Sequence, residues 1–256
     1  MSKNFELMQD ARIMVGSTEA AETQPRPVTV NDKAHEAVSG THLNWQDEIT
    51  REETLKLVQS IFLSRSERSS RAVVFASVDS GNGCSRICAQ VAEALAGQKR
   101  GRVCLVDANL RSPVLPDLFT VSNHYGLTDA ISNRGSIRDF VKLIGSSNNL
   151  WLLSSGSLAS NSPGLFNSET MKARVSELRE QFEYVLIDSP PLNNYADGVA
   201  IGQLADGVVV ILEANGTRRE AAIKITENLR AAPIPILGAV LNKRTFPIPT
   251  SLYNML

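Results

Sequence analysis

Hydrophobic positions follow two alternating patterns along this chain. Short continuous apolar runs, typical of strands buried on both faces of a parallel sheet, are separated by stretches in which apolar residues recur at helical spacing. The predicted strands lie at residues 72–76, 103–106, 150–153, 184–187, 208–212 and 236–241. The predicted helices lie at residues 49–62, 87–95, 127–131, 137–143, 168–181, 198–204 and 218–231. This alternation predicts a doubly wound α/β domain with a mainly parallel sheet.

The first part of the chain lacks these patterns. Residues 1–45 mix polar residues with alanine, threonine and a proline-containing turn, and only Phe5 to Ile13 shows a short helical pattern. Such a composition is typical of segments that bury too little apolar surface to fold alone. We therefore expect a mobile N-terminal arm over residues 1–45, carrying one short docking helix, and an α/β domain over residues 46–256.

The composition argues against several classes of function. The 256 residues carry a net charge of -1, which gives no general attraction to nucleic acid or to an anionic membrane. No apolar run approaches the roughly 18 residues of a spanning helix, and the first residues lack a signal-peptide hydrophobic segment. We expect a cytoplasmic protein with no membrane span and no nucleic-acid partner. Its three cysteines are an odd number without metal-ligand spacing, and two of them lie in predicted buried or helical positions. A disulfide framework is therefore not expected.

The first predicted strand leads into a loop of small residues that contains Gly81 and Gly83, and then into a helix. This order is typical of phosphate sites, because glycines let backbone N–H groups point at an anion and the helix N-terminus adds about half a positive charge. The residue before Ser85, where a P-loop carries its lysine, is Cys84. The sequence therefore predicts a phosphate site that lacks its main cation.

Two acidic residues stand where ligands bind in doubly wound sheets. Asp107 and Asp188 each follow an apolar run directly, at the carboxyl end of a predicted strand. Magnesium in nucleotide sites usually takes a hydroxyl, a carboxylate or its water, and phosphate oxygens, and Ser85 with these two acids could supply that set. A single acid in such a place often only caps the following turn, but two of them behind a glycine loop favour a nucleotide site.

Three segments in order resemble the bacterial tyrosine kinases (BY-kinases) of exopolysaccharide and capsule systems. Ser80 to Ser85 takes the place of the family's phosphate loop, Val103 to Pro113 looks like its second Walker-type motif, and Tyr184 to Pro191 looks like its Walker B motif. The resemblance covers roughly residues 50–256. It implies a three-layer P-loop NTPase fold of the deviant, MinD-like class, which also includes the plasmid-partition ATPases.

The resemblance also implies ATP and Mg2+ as cofactors and assigns them residues. Asp107 would activate the attacking tyrosine hydroxyl and Asp188 would support the metal, so both would be catalytic, and with Ser85 they would hold Mg2+. Asn242 matches an asparagine that the family places near the adenine. The residues implied for nucleotide binding are Ser80, Gly81, Asn82, Gly83, Cys84, Ser85, Arg86 and Asn242.

The partners implied by the resemblance belong to the membrane. A kinase of this family works with a membrane polysaccharide co-polymerase, which would recruit it to the inner face of the plasma membrane and link it to polymer assembly or export. Family members also form rings through a Glu-x-x-Arg-x-x-Arg helix, of which Glu53, Lys56 and Gln59 keep only part. Formation of a homo-oligomer is therefore left open.

The chain departs from the family at positions that matter for catalysis. Cys84 replaces the lysine, and a thiol at a helix N-terminus can ionise and repel phosphate. Asp79 stands where partition-type relatives carry a second lysine, Arg86 points away from the position of Cys84, and the family's C-terminal tyrosine cluster is reduced to Tyr253. We also interpret Cys84 and Cys88 as small packing residues, in preference to a redox switch.

These departures predict a tyrosine-kinase-like regulator whose phosphotransfer is weak or lost. A second interpretation is an active ATP-dependent tyrosine autokinase, in which backbone amides, Mg2+ and a cation from a neighbouring subunit replace the lysine. A third is a positioning ATPase of the partition type. The missing signature lysine and the absence of a basic face for DNA argue against this third interpretation.

Overall fold

The structure, a computed structural model, describes residues 48–63, 70–145, 148–157 and 164–244. The predicted arm with its docking helix at Phe5 to Ile13, and Tyr253 near the C-terminus, lie outside the described residues. The boundary at residue 46 therefore stays a prediction. Of the helices described, none combines the length and the hydrophobicity that are needed to cross a membrane.

Strands and helices alternate through the described residues, as the hydrophobic pattern predicts. The strands are β1 (Ala72–Ser77), β2 (Val103–Asp107), β3 (Lys142–Ile144), β4 (Leu150–Leu153), β5 (Tyr184–Asp188), β6 (Gly207–Glu213) and β7 (Ile236–Asn242). The α-helices are α1 (Glu48–Ile61), α2 (Cys84–Gly97), α3 (Leu115–Leu118), α4 (Leu127–Ser132), α5 (Glu169–Gln181), α6 (Asp197–Gly202) and α7 (Arg219–Ala231). Short 3-10 helices occupy Ile137–Asp139 and Leu165–Asn167.

The strands form one sheet in the order β3-β4-β2-β5-β1-β6-β7. All neighbouring pairs are parallel except β3 and β4, which pair in the antiparallel direction at one edge. Successive strand residues pack alternately into two apolar clusters: Val74 and Ile187 meet helices α4 to α7, whereas Phe75 and Leu186 meet helices α1 to α3. The sheet thus lies between two helical layers, which confirms the predicted doubly wound, three-layer α/β fold.

One predicted helix is wrong. The stretch 137–143 forms a single 3-10 turn, Ile137–Asp139, and then enters β3, where Leu143 pairs with Trp151 and Ile144 with Leu150. The apolar residues of so short a stretch fit a helical period and a turn followed by a strand equally well, so pairing with β4 decides the outcome. The four-residue helix α3, with Pro116 in its first turn, was not predicted.

Strand register sets the geometry of the ligand-binding edge. Asp107, the last residue of β2, is paired with Asp188, the last residue of β5, and Phe75 of β1 is paired with Asp188 on its other side. β1 in turn runs into the glycine loop at residues 79–83, and α2 begins directly after that loop. The two acids and the loop therefore meet at the carboxyl ends of three neighbouring strands.

Candidate functional site

Asp107 and Asp188 point to the same face of the sheet. Alternate residues of their strands, Leu105 and Leu186, belong to the apolar cluster that includes α2, so both acids face that helix. Both are fully buried, and the backbone N–H of Ala108 donates to the carbonyl oxygen of Asp188 at 2.9 Å. Two carboxyl groups thus lie side by side in a dry environment beneath the N-terminus of α2.

Asp107 is held by the backbone that follows it. Its Oδ1 accepts a hydrogen bond from the N–H of Asn109 and its Oδ2 accepts one from the N–H of Leu115, each at 3.2 Å. Burial and the neighbouring charge of Asp188 raise the pKa of Asp107 well above its usual range, although these backbone donors oppose the rise. Asp107 therefore caps the turn between β2 and α3, whatever else it does.

Asp188 has no such support. Within the described residues neither carboxylate oxygen has a hydrogen-bond partner of good geometry. Burial raises its pKa from 3.8 to about 6, and the Ser85 hydroxyl and the Cys84 thiol are near enough to limit that rise. A buried, unpartnered carboxylate beside a hydroxyl suits a hard cation that brings its own water and phosphate ligands, so Ser85 and Asp188 fit Mg2+.

The glycine loop is fixed by asparagine side chains. Asn82 is buried, its Oδ1 accepts from the N–H of Asp79 at 2.8 Å, and its Nδ2 donates to Glu213 Oε2 at 3.1 Å. Asn242, the last residue of β7, donates through Nδ2 to the carbonyl oxygen of Asn82 at 2.8 Å. The structure thus attaches Asn242 to the loop through the backbone of Asn82, while a contact of Asn242 with adenine stays a prediction.

Helix α2 begins without a side-chain cap. Its N-cap, Gly83, has a φ of 86°, in the left-handed region that glycine tolerates, and it has no side chain that could cap the first turn. The uncapped amides at this helix end form the kind of place where phosphate binds. Ser80 and Gly81 are exposed at the loop, Ser85 is half-buried in the first turn and Arg86 is exposed. The predicted loop residues therefore surround one helix terminus.

The interpretation of Cys84 and Cys88 as buried packing residues is confirmed, but the prediction of an ionised thiol is wrong. Burial, followed by the nearby charge of Asp188, raises the pKa of both thiols well above its usual range. The effect of the helix N-terminus is outweighed, because a thiolate here would be desolvated beside a carboxylate. Residue 84 is therefore neutral at pH 7, neither attracting nor repelling phosphate.

Sequence reasoning missed two charged residues beside the loop. Glu213 ends β6 and Lys243 follows β7, and Lys243 Nζ lies 3.0 Å from Glu213 Oε2. The rule that singled out Asp107, a polar residue closing an apolar strand, would have found Glu213 as well. A cleft of about 470 Å3 opens next to this pair, with apolar walls from Leu212 and Leu241.

The described residues do not form a complete metal site by themselves. No group of three or more histidine, cysteine, aspartate or glutamate side chains in these segments is arranged to hold a metal ion. The set of Ser85, Asp107 and Asp188 would therefore need phosphate and water oxygens to complete the octahedron that magnesium requires. The arrangement suits a metal that arrives with a nucleotide better than one bound permanently.

A glycine loop between an interior parallel strand and a helix, with acids closing two neighbouring parallel strands, defines a P-loop NTPase fold. Solved structures agree: the VpsO kinase domain is 26% identical with a TM-score of 0.68, and the match covers 78% of this chain and 100% of that one. A putative plasmid partition protein from Borrelia burgdorferi B31, bound to AMPPNP, shares the fold at 16% identity with a TM-score of 0.56, covering 73% of this chain and 80% of that one.

The comparison with known proteins also identifies the family. The tyrosine-protein kinase YwqD of Bacillus subtilis (strain 168) is 31% identical over 176 residues, which are 69% of this chain and 73% of YwqD. No family model matches the chain. The chain belongs to the bacterial tyrosine-protein kinase family that includes YwqD.

Gly83 and Gly81 provide a matched test of the loop. Both have positive φ, 86° and 81°, but a Cβ added at Gly83 would collide with Asn242 Nδ2, whereas one added at Gly81 would meet nothing within 4 Å. Each alanine substitution should lower the free energy of unfolding by about 1–2 kcal/mol, because alanine is strained in the left-handed conformation. Gly83→Ala should lose about 1 kcal/mol more, because it breaks the hydrogen bond between Asn242 and Asn82. Urea unfolding measures the difference, and equal losses would contradict it.

Proposed function

We propose that this chain is a tyrosine-kinase-like, nucleotide-binding protein that regulates polysaccharide biosynthesis, with phosphotransfer that is weak or lost. The observation that carries the proposal is the neutral Cys84 thiol, buried beside Asp188 in the place of the P-loop lysine. The loop, the helix terminus and both acids support binding of a nucleotide. The missing ammonium supports the loss of chemistry.

In this proposal the phosphates of ATP lie on the uncapped amides at the start of α2. The base lies toward Asn242 and the cleft of about 470 Å3, a volume that suits a small organic ligand. Ser85, Asp188 and Asp107 would hold Mg2+, which when bound supplies charge neutralisation at the phosphate oxygens. Asp188 contributes the carboxylate that is free for this purpose, because its oxygens have no partner within the described residues.

Two features of the chain itself weaken transfer to a tyrosine. Phosphoryl transfer depends mainly on positioning and on charge stabilisation, so a neutral residue 84 removes part of the transition-state stabilisation. A charge-assisted hydrogen bond contributes about 1.5–3 kcal/mol, which corresponds to roughly 10–150-fold in affinity. Asp107, the residue proposed as base, already accepts two backbone hydrogen bonds, from Asn109 and Leu115. Its oxygens are therefore less available to a tyrosine hydroxyl.

The proposed setting follows from family membership. A membrane polysaccharide co-polymerase would recruit the chain to the inner face of the plasma membrane, and its N-terminal arm would carry the docking helix. Lys56 pairs with Glu53 within its own helix at 2.7 Å, both on the exposed face of α1. The same face would serve homo-oligomer formation if the partial ring motif is sufficient. Co-purification with the co-polymerase tests the first of these proposals.

An active tyrosine autokinase is the second candidate. The observation that favours it is the identity of 31% with YwqD, a chain named as a tyrosine-protein kinase, together with the two acids at the sheet edge. In that case Mg2+, the loop amides and another cation would carry the charge that Cys84 does not. The likeness to a partition protein at 16% identity concerns the fold alone.

Incubation of the purified full chain with labelled ATP and Mg2+ separates the two candidates. We expect calorimetry to detect ATP binding, and phosphotyrosine to stay near the background of a sample without Mg2+. Strong phosphotyrosine from the unaltered chain would overturn the loss of phosphotransfer. Failure to bind ATP at all would overturn the proposed nucleotide binding.

A further inference from the structure

We propose that Lys243 supplies the positive charge that Cys84 lacks, by leaving Glu213 and moving onto the phosphates of the bound nucleotide. This inference rests on the proposed binding of nucleotide at the glycine loop. It assigns to the end of β7 a function that P-loop proteins ordinarily place in the loop itself. Four observations support it: where the lysine starts, what it touches, how its backbone is held and what lies beside it.

The starting position of Lys243 is fixed next to the loop. It follows Asn242 directly, and Asn242 Nδ2 donates to the carbonyl oxygen of Asn82 at 2.8 Å. The register of β6 and β7 pairs Asn242 with Glu213, and the N–H of Ala214 donates to the carbonyl oxygen of Asn242 at 2.9 Å. The backbone that carries the lysine is therefore attached on one side to β6 and on the other to the loop.

The ammonium shares an acceptor with the loop. Glu213 Oε2 accepts from Lys243 Nζ at 3.0 Å and from Asn82 Nδ2 at 3.1 Å, so a single oxygen separates the cation from the loop side chain. The Lys243 side chain is 50% exposed, and within the described residues it pairs with the Glu213 carboxylate. Such a half-exposed ion pair is weak and is readily exchanged for one with a more highly charged partner.

The backbone of Lys243 is in an uncommon conformation. Its φ of 56° lies in the left-handed region, which residues with a side chain seldom adopt outside turns and functional sites. The conformation follows immediately after β7 ends and turns the chain at the edge of the site. The direction in which the lysine leaves the strand is therefore set by the backbone, while its four-carbon stem keeps the ammonium free to move.

The surroundings of Lys243 are those of a ligand site. Glu213, its ion-pair partner, and Arg244, the next residue, both line the cleft of about 470 Å3. Glu213, which Lys243 contacts, thus both lines the cleft and bonds the glycine loop, and in this proposal the phosphate chain of a nucleotide runs between the two. Arg111, by contrast, is engaged elsewhere, because it pairs with Asp197 at 3.2 Å and stacks on Tyr195.

The test compares ATP with adenosine by calorimetry on the full chain, with Mg2+ present throughout. Lys243→Gln should weaken ATP binding about tenfold or more and leave adenosine binding within about twofold, because only ATP carries the phosphates. Glu213→Gln should strengthen ATP binding a few-fold, since it releases the ammonium while keeping an oxygen for Asn82. Lys172→Gln is the matched control, because it removes a lysine from the ion pair with Glu169 on α5. It should change neither the affinity for ATP nor the affinity for adenosine.

Each other outcome overturns the inference in a recognisable way. If the parent chain binds ATP and Lys243→Gln binds it equally well, Lys243 is not the missing cation and the proposed function stands. If ATP and adenosine lose affinity equally, Lys243 only supports the fold. If the parent chain binds no ATP, both proposals fail together. Should Lys243→Gln unfold, which thermal melting would show, the absence of a gain in Glu213→Gln would overturn the inference.

Discussion

The Asp188→Asn variant is expected to be more stable than the parent protein near pH 7.5, even though it loses an acid from the centre of the site. The pKa of Asp188 rises from 3.8 to about 6 on folding, because burial penalises a carboxylate that has no hydrogen-bond partner of good geometry among the described residues. Each pKa unit corresponds to about 1.4 kcal/mol, so the ionised group destabilises the folded state by about 3 kcal/mol. Asparagine removes that charge.

The pH dependence has a defined sign. An acid with a raised pKa holds its proton more tightly in the folded protein, so its penalty is absent below about pH 4 and complete above about pH 6. The stability gain of Asp188→Asn over the parent should therefore grow across this interval. Urea unfolding of both proteins at pH 4, 5, 6 and 7.5 measures it. A gain that does not change with pH would contradict the argument.

Asp206→Asn is the matched control with the opposite sign. Asp206 accepts from the N–H groups of Arg71 and Ala72 at 2.7 and 2.8 Å, and from the Arg179 guanidinium at 2.9 Å. These donors outweigh its burial and lower its pKa, so its stabilising effect is present at neutral pH and is lost as the pH falls. The Asp206→Asn substitution should lower the free energy of unfolding by about 1–3 kcal/mol at pH 7.5.

The same pair of variants separates stability from binding. Mg2+ and ATP should raise the melting temperature of the parent and of Asp206→Asn, because a ligand that binds only the folded state stabilises it. Asp188→Asn should show little or no such rise, since it lacks the unpartnered carboxylate. A full ATP-dependent shift in Asp188→Asn would remove Asp188 from the metal site.

Cys84→Lys is expected to raise ATP affinity about 10–150-fold and to produce phosphotyrosine where the parent gives little. Residue 84 opens α2, and its side chain lies close enough to Asp188 for each to shift the pKa of the other. An ammonium there would meet a buried carboxylate that has no partner among the described residues, so the charge is accommodated in the free protein. Nucleotide phosphates would then meet an ammonium at the start of α2 itself.

Labelled ATP with Mg2+, followed by detection of phosphotyrosine, measures the change in activity, and calorimetry measures the change in affinity. Cys84→Ser is the control, because it replaces the thiol by a neutral group of similar size and should change neither quantity much. If Cys84→Lys folds but gains no affinity for ATP, a feature of the loop other than the charge of residue 84 limits nucleotide binding. The explanation based on residue 84 would then be wrong.

The strands were predictable from sequence because their signal is local. A strand buried on both faces needs a continuous apolar run, and the observed ends of β1 and β4 to β7 fall within one residue of those runs. The turn and edge strand at residues 137–144 were not predictable, because their few apolar residues fit a helix or a strand and the pairing with β4 decides between them. The helix predicted at residues 137–143 was therefore wrong.

The candidate site likewise has features that the sequence predicts and features that depend on the folded structure. Its loop and acids follow from their order along the chain, but the difference between Asp107 and Asp188 does not. It depends on the N–H of Leu115, which the turn into α3 brings back to Asp107, and on the lack of such a donor to Asp188 among the residues that the structure describes. The raised pKa of the Cys84 thiol likewise depends on folding, which buries the thiol and places a carboxylate beside it.

The pairing of β2 with β5 has one more consequence. Asp107 and Asp188 are spaced by the backbone ladder between two central strands, and this spacing does not depend on the residue at position 84. The acids close two interior strands of the sheet, whereas residue 84 is a single side chain at the start of a helix. Exchange of that one residue can therefore alter the charge beside the loop, while the strand pairing that sets the spacing of the acids stays the same.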